Sequence, residues 1–429
     1  MSDDRLDHLS RQIAVASGRR AVLGALAAVP LAGAASLIGV DSADAKKKHK
    51  DKKKKKKHVK RKTFCLNGVK YKVKADKKGK INRLKKKGAT PGKCTAPAPV
   101  TTTSAPSCQS IWSYAASFGD PGTNPGDLIN VQDATFTPDA RTLLITTPTR
   151  VTAFTRTNAS SVKWNYAYFF GATGTSDGQF LNAADLTLSV DGLTAYVADS
   201  ANQRISIWKR QSASSPAWAY SSKLTGVDAT TPVPNPIAWG VAISQDELTA
   251  LIAEGPNNFI SVWTRPSNSS TSWTRDSTFG TTGGGTGQLL NPTGVVLSKN
   301  TLHAWVADSD NDRISAWTRA TTSSPWQFDY SFGSTGGGVS QFNSPHNLTI
   351  SENELIIWVS DTNNNRVSIW SRTSTANSNW VNKTTFGSSG PQFTNLPLGL
   401  GITPSGGTVA VAASYNDKIS VWNGNVCIG

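Results

Sequence analysis

One short phrase recurs along this chain at an almost constant interval, and that interval limits the folds open to it. "ADSANQRISIW" (198–208) returns as "ADSDNDRISAW" (307–317) and as "SDTNNNRVSIW" (360–370). Alignment on the final aromatic residue picks out Phe154, Trp208, Trp263, Trp317, Trp370 and Trp422, at intervals of 54, 55, 54, 53 and 52 residues. Between these anchors lie short runs of β-branched and aromatic residues, punctuated by Gly, Asn and Pro. Such a period marks one supersecondary unit repeated around an axis or along a line.

One unit reads as four strands. "ADLTLSV" (184–190) suits a buried inner strand, "LTAYVAD" (193–199) follows an Asp191-Gly192 turn, "RISIWKR" (204–210) is third and "WAYSSKL" (218–224) is outermost. Six such units predict an all-β fold, a six-bladed β-propeller in which each twisted sheet buries both faces against its neighbours. The last unit has only three strands, "LGLGITP", "TVAVAAS" and "KISVWNG", while an unmatched "SIWSYAASFG" (110–119) stands before the first. The N-terminal strand is therefore expected to complete the C-terminal blade and close the ring.

Closure bears on the four cysteines, Cys65, Cys94, Cys108 and Cys427. About ten residues link the third-strand and fourth-strand tryptophans of an intact blade, as from Trp208 to Trp218; Cys427 lies five after Trp422 and Cys108 four before Trp112. Both thiols fall where that link would pass, so a Cys108–Cys427 bridge is expected, which by elimination leaves Cys65–Cys94. The long loop closed by the first would be worth roughly 4–5 kcal/mol in the chain-entropy model.

The net charge of +17 is not spread evenly. Lys46 to Cys94 carries 24 Lys or Arg against 2 Asp, whereas residues 95–429 carry 17 against 21 Asp or Glu. The basic charge thus belongs to about fifty residues and says nothing of the propeller. Residues 1–45 read as an export signal, with Arg19-Arg20 ahead of an Ala/Gly-rich apolar run and Ala43-Asp44-Ala45 as a cleavage pattern; the paired arginines resemble a bacterial twin-arginine signal. Residues 46–62 form a Lys-rich, disordered segment suited to a polyanionic surface. No aromatics interleave its lysines, which argues against specific nucleic-acid recognition. Residues 63–94 form a small Cys-bracketed module, too small to hold together by its core alone, with a short strand at Val69, Tyr71 and Val73 and a helical turn at Ile81 and Leu84. Residues 95–107 are a Pro/Thr/Ser linker, and 108–429 the propeller. The apolar run at the N-terminus is short for a membrane span, and none is expected in the mature chain. Together these features place the protein outside the cytoplasm, extracellular or on the cell envelope, as a monomer.

The phrase "V-A-D-S-x-N-x-R-I-S-x-W", preceded by Phe-Gly and a Gly/Gln-rich loop as in "FGTTGGGTGQLLNPTGVVLS" (279–298), resembles the NHL-repeat propellers. The resemblance covers about three quarters of the chain and is closest in the units ending at Trp208, Trp317 and Trp370; "ITTPTRVTAF", "AEGPNNFISVW" and "ASYNDKISVW" depart from it. It implies an interaction platform that binds a protein or a surface polymer through its loops. It also leaves open a minority activity of such relatives, a metal-dependent hydrolase or lyase working in the central channel. A passive envelope component is a third reading.

Asp199 with Arg204, Asp308 with Arg313 and Asp361 with Arg366 are read as structural braces, since an Asp at a strand end can accept turn N–H groups while the Arg reaches back to it. A device repeated in three blades does not make one asymmetric active site. The third-strand tryptophans are read as a core layer; Trp164, Trp218, Trp273, Trp326 and Trp380, near loops, are less firmly assigned to it. Asymmetry lies in a column of inner-strand positions, Asp133, Asp185, Gly240, Gly294, Asn347 and Gly399, with His346 beside Asn347. Asp133, Asp185, His346 and Asn347 are the candidate ligand or ion site, the cation, if any, being a divalent one such as calcium. No other cofactor is expected and no catalytic residue is assigned. Only His303 and His346 lie in the propeller, which is too few for a three-His zinc centre, and no G-x-S-x-G elbow or P-loop is present. The "GTTGGGTGQ" and "GSTGGGVSQ" runs (280–288, 333–341) read as flexible inter-blade loops.

Overall fold

A computed structural model of the chain describes residues 61–66, 69–75, 77–87 and 90–91, and residues 111–426 apart from 123, 125, 226–236 and 388–395. They fall into two compact units, one within residues 1–101 and one within 102–429. The export signal, nearly all of the Lys-rich segment and the linker lie outside the described residues, as do Cys94, Cys108, Cys427 and the side chain of Cys65, and with them both expected disulfides.

The smaller unit pairs Arg61–Leu66 with Val69–Lys74 in antiparallel register, and Thr90–Pro91 adds to the first strand. Its first strand thus begins two residues inside the segment assigned to lysine-rich sequence. Lys78–Lys86 forms a helix of nine residues rather than a brief turn, with Arg83, Lys85 and Lys86 in its last turn, where the helix dipole favours cations. Phe64, Val73 and Ile81 make a three-residue core, with Leu84 against it. No described helix is long and apolar enough to cross a membrane.

The larger unit is a six-bladed β-propeller, six antiparallel four-stranded sheets. In the second blade the strands are Ala183–Leu188, Thr194–Asp199, Arg204–Lys209 and Ala219–Leu224, in chain order from axis to rim. The sixth blade takes Pro397–Ile402, Thr408–Ala413 and Lys418–Gly424 from the C-terminus, and Trp112–Phe118 from the other end of the propeller segment as its outermost strand. Their register runs from Ile419↔Phe118 to Gly424↔Trp112. The ring therefore closes by strand exchange between the ends of the repeat, as the unmatched strand predicts.

The anchor aromatics have a local cause. In each blade the pairing of third and fourth strands shifts register immediately before the anchor: at Ala153/Phe154, Ile207/Trp208, Val262/Trp263, Ala316/Trp317, Ile369/Trp370 and Val421/Trp422. A bulge sharpens strand twist and re-aims the next side chain. Here that side chain is a large ring that closes the blade interface. Phe170 of the first blade, for example, lies 4.9 Å from Trp208 and 5.2 Å from Trp218 of the second. The same interface buries Leu144, Val151 and Ala153 against Leu186 and Val197. The core is thus a ring of such interfaces, and a blade alone would leave half of each exposed.

The tryptophans just ahead of the fourth strands are buried too, at 7–8% exposure for Trp164, Trp218, Trp273, Trp326 and Trp380 against 2–6% for the third-strand set, which corrects their weaker assignment to the core. What covers them is an arginine two residues past the anchor. Arg156, Arg210, Arg265, Arg319 and Arg372 each place the guanidinium carbon 4.7–4.9 Å from the indole centre. Each Nε also donates to a hairpin carbonyl: Ala140, Gly192, Glu247, Thr301 and Glu354, at 2.6–2.9 Å. The stem packs while the head stacks, so the strand end is clamped at both levels. The sixth blade has Gly424 at this position. A Cβ there would stand 2.3 Å from Ile111 O and 2.6 Å from the Trp112 ring, so the incoming strand occupies the space.

Candidate functional site

Two arrangements collect the candidate residues: the repeated phrase on the loop side of the blades, and the carboxylate column at the axis. In the second blade Asp199 Oδ1 accepts the N–H of Leu181 at 3.0 Å and of Asn182 at 3.4 Å, while Oδ2 accepts Asn202 Nδ2 at 2.7 Å and Arg204 Nε at 2.9 Å. Arg204 then donates to the carbonyls of Thr175, Ser176 and Gln179. In the fourth blade Arg313 donates to Asp308 at 2.7 Å and to Gly284, Gly285 and Gln288 O. In the fifth, Arg366 donates to Asp361 at 2.6 Å and to Gly337, Gly338 and Gln341 O. Asp199, Asp308 and Asp361 are fully buried. Burial raises the carboxyls of Asp308 and Asp361 above the ordinary range, against the opposing pull of the N–H and arginine partners.

Those carbonyls belong to the Gly-rich loops. Thr281–Thr282 pairs in parallel with Gln288–Leu289, Gln288 Oε1 accepts Gly285 N at 2.7 Å, and Asn311 Nδ2 donates to Gly283 O at 2.9 Å. Gly283 has φ of +141°, which a residue with a Cβ rarely adopts. The run read as a flexible connector is a pinned turn, because the arginine and asparagine of its own blade satisfy its carbonyls.

A second set of bonds joins neighbouring blades and has no counterpart in the sequence reading. The residue before the third strand, which begins with the phrase arginine in three blades and with Phe259 and Lys418 in two others, takes a left-handed conformation in each of the five: Gln203, Asn258, Asp312, Asn365 and Asp417. Asn258 accepts Asn291 N, Asp312 accepts Ser344 N, Asn365 accepts Leu396 N and Asp417 accepts Asn130 N. The phrase therefore holds its own loop with one side chain and the next blade with another. The only sequence trace is the Asn or Asp that tolerates this backbone.

At the axis the column comes together across the ring. Asn347, from the fifth blade, donates Nδ2 to Asp133 Oδ1 of the first at 3.1 Å and to Asp185 Oδ1 of the second at 3.2 Å. Asp133 Oδ2 accepts Leu186 N at 3.3 Å, and Asp185 Oδ2 accepts Val241 N at 2.7 Å, each from the next inner strand. The glycines of the column permit close approach: a Cβ on Gly399 would lie 2.2 Å from Asp133 Cα, and one on Gly240 would lie 2.4 Å from Thr293 O. Burial, then the facing Asp185, holds the Asp133 carboxyl well above its usual range; burial raises Asp185 to about 6. Two facing carboxyls out of water cannot both ionise cheaply, so the neutral form of at least one is favoured.

His346 does not join this group. Its ring lies edge-on to Trp239, with centroids 6.5 Å apart. Part of the side chain remains accessible, but Nδ1 is sealed without a hydrogen-bond partner, and burial lowers the imidazole to about 4.

The donor set does not fit a calcium-type ion as arranged. Each of the four carboxyl oxygens already accepts an N–H, Asn347 turns its NH2 toward them, and its own oxygen accepts Leu348 N at 2.6 Å. A hard cation needs six to eight oxygens facing it. Among the described residues no three His, Cys, Asp or Glu side chains cluster with metal-binding geometry.

No family model matches the sequence. No curated protein matches it either. Among solved structures, the chain is similar to a functionally unknown protein from Desulfotomaculum acetoxidans, with 13% identity and a TM-score of 0.45 over 68% of this chain and 82% of that one. It is also similar to a "putative 6-phosphogluconolactonase" from Bacteroides uniformis, with 12% identity and a TM-score of 0.48 over 73% of this chain and 92% of that one.

Proposed function

We propose that this chain is an exported, non-catalytic binding platform of the NHL type, held at an anionic surface by residues 46–62 and presenting its propeller loops to a protein or a surface polymer. The reading includes export by a twin-arginine signal, disulfides at Cys65–Cys94 and Cys108–Cys427, and a monomeric propeller. The observation that carries it is the Asn347 amide lying between Asp133 and Asp185, which leaves the axial carboxyls satisfied from within. The phrase arginines support it in the same way, since their donors go to loop carbonyls of their own blade. A carboxylate acting as a general base must come within hydrogen-bond reach of a substrate proton, and here every oxygen of the pair already faces an N–H of the protein.

Two measurements test the proposal. Protein bound to intact cells should be released as salt is raised from 0.05 to about 0.5 M, and deletion of residues 46–62 should abolish retention; retention unchanged in high salt would remove electrostatic attachment. Metal analysis of the purified chain should find no tightly held ion. One ion per chain, lost in Asp185→Ala, would overturn the reading in favour of a channel-centred hydrolase or lyase.

A further inference from the structure

We propose that the recess between the fourth and fifth blades binds the neutral, polyhydroxylated ring of a sugar. This deepens the binding-platform reading by naming a ligand class, and it uses no residue of the axis. The recess has a volume of about 160 Å³ and is lined by His303, Trp305, Ala316, Asp329, Tyr330 and Arg372, together with residues 375–378. A cavity of about 150 Å³ accepts benzene, so a hexose, with twice the heavy atoms, would fill this recess with one face and extend from its mouth.

The recess combines a small side chain, Ala316, with a tryptophan beside it; the first blade has the same small residue, Ala153, but between Leu144 and Tyr168. Ala316 pairs with Trp305 on one side and Tyr330 on the other. The same register position holds Ile207, Val262, Ile369 and Val421 in the second, third, fifth and sixth blades. His303 is also singular, standing where the other blades have Thr142, Thr194, Thr249, Ile356 and Thr408.

Its charges favour neither an anion nor a cation. Arg372 already donates to Glu354 O at 2.8 Å, Tyr330 Oη at 3.2 Å and Asn377 O at 3.3 Å, lies 3.6 Å from the Glu354 carboxylate, and stacks on Trp380 and Trp305. A cation would meet that guanidinium, and an anion would meet Asp329 and Glu354. What the recess offers are acceptors. Asn377 Oδ1 is buried with no partner, and Asp329 is an exposed carboxylate at the mouth. Trp305, buried and capped by Arg372, closes the bottom of the recess, and the half-buried Tyr330 ring forms its aromatic wall, the hydroxyl held by Arg372 and Trp380. Several O–H donors around a C–H face match that set, and such a group is a sugar ring.

Saturation-transfer NMR on the full chain tests this with glucose, galactose, mannose and N-acetylglucosamine, and with lysine methyl ester and glucuronate as charged controls. At least one neutral sugar should receive saturation. Ala316→Val, which places the third-blade residue in the fourth, should abolish the transfer, while Ala153→Val at the matching first-blade position should leave it unchanged. Asp329→Asn, at an exposed site that threatens no packing, should weaken binding by about fivefold to tenfold. Transfer that survives Ala316→Val, absence of any neutral-sugar signal, or transfer to the charged controls alone would overturn the proposal. Salt-dependent retention on cells would be untouched by any of these results, so the two readings fail separately.

Discussion

The second, fourth and fifth blades close their loops with a buried Asp, an Asn and an Arg; the third blade has Glu254, Asn257 and Phe259 in the same places. In the regular blades every oxygen of the carboxylate has a donor. In the third, Glu254 is as buried as its counterparts, yet Oε2 accepts only Asn257 Nδ2 at 2.9 Å and Oε1 has no partner. A cation is still near, but from elsewhere: Arg275 of the outermost strand lies 5.1 Å over the Phe259 ring. The position is therefore kept for its geometry, and the energy it yields depends on whether the arginine is present. Loss of one partner from a buried ion pair with a complete donor set is costly, whereas an incomplete set has little to lose.

The largest test of this contrast is Asp199→Ala. It strips four donors of their acceptor and leaves Arg204, itself 4% exposed, with only the exposed Asp177 carboxylate at 3.6 Å as counter-charge. A cost of roughly 3–5 kcal/mol is expected. In thermal denaturation that is a fall in Tm of roughly 10 °C, with faster amide exchange across residues 172–181. Asp199→Asn should cost less, because one acceptor survives. If Asp199→Ala moved Tm by under 2 °C, the brace would be a surface ornament and the comparison would collapse.

The axis gives a second measurement, in pH. The folded carboxyl of Asp185 is raised to about 6, above the ordinary 3.8. Its contribution to stability is therefore full below about 3.8 and is lost as pH rises through about 6. His346 works in the opposite sense over a similar window, since its folded value of about 4 lies below the ordinary 6.5 and its contribution fades as pH falls through about 4. The difference between wild type and Asp185→Asn cancels the histidine. That difference should shift in the variant's favour by an amount of the order of 2 kcal/mol between pH 4 and 7. A difference curve flat in pH would mean that burial does not raise the Asp185 carboxyl.

Much of the ring was legible before any coordinates: the period, the four-strand order, the closing strand and the third-strand aromatics all follow from alternation and spacing. The column at the axis was legible too, since inner-strand alignment brings Asp133, Asp185 and Asn347 to one level. That Asn347 bridges the other two was not, because the bridge joins residues 214 and 162 positions apart and depends on which way an amide turns. The arginine clamp escaped for a different reason. A cation two residues past a tryptophan reads as the solvated end of a strand, and only the fold of the connecting turn shows that it lies on the next indole. The sixth blade offers the natural comparison, and Arg319→Gln probes it. Loss of the contact with Trp326 and of the bonds to Thr301 O and Thr322 O should cost about 1–2 kcal/mol, read as a lower urea midpoint. No change would mean that the clamp is dispensable in every blade, as Gly424 makes it in one.

The smallest effect is expected where the comparison began. Glu254→Gln removes a charge from a site with 1% exposure and one partner, and the amide oxygen can still accept from Asn257. The new NH2 meets no acceptor among the described bonds of Glu254, so the gain from neutralising a buried carboxylate is offset by an unsatisfied donor. The net change should stay within about 1 kcal/mol of zero. That value stands against several for the matching residue one blade earlier. Denaturation of the two variants side by side measures how much of the phrase's worth resides in its arginine. If Glu254→Gln cost as much as Asp199→Ala, the carboxylate alone would carry the brace, and the arginines of the regular blades would be bystanders to it.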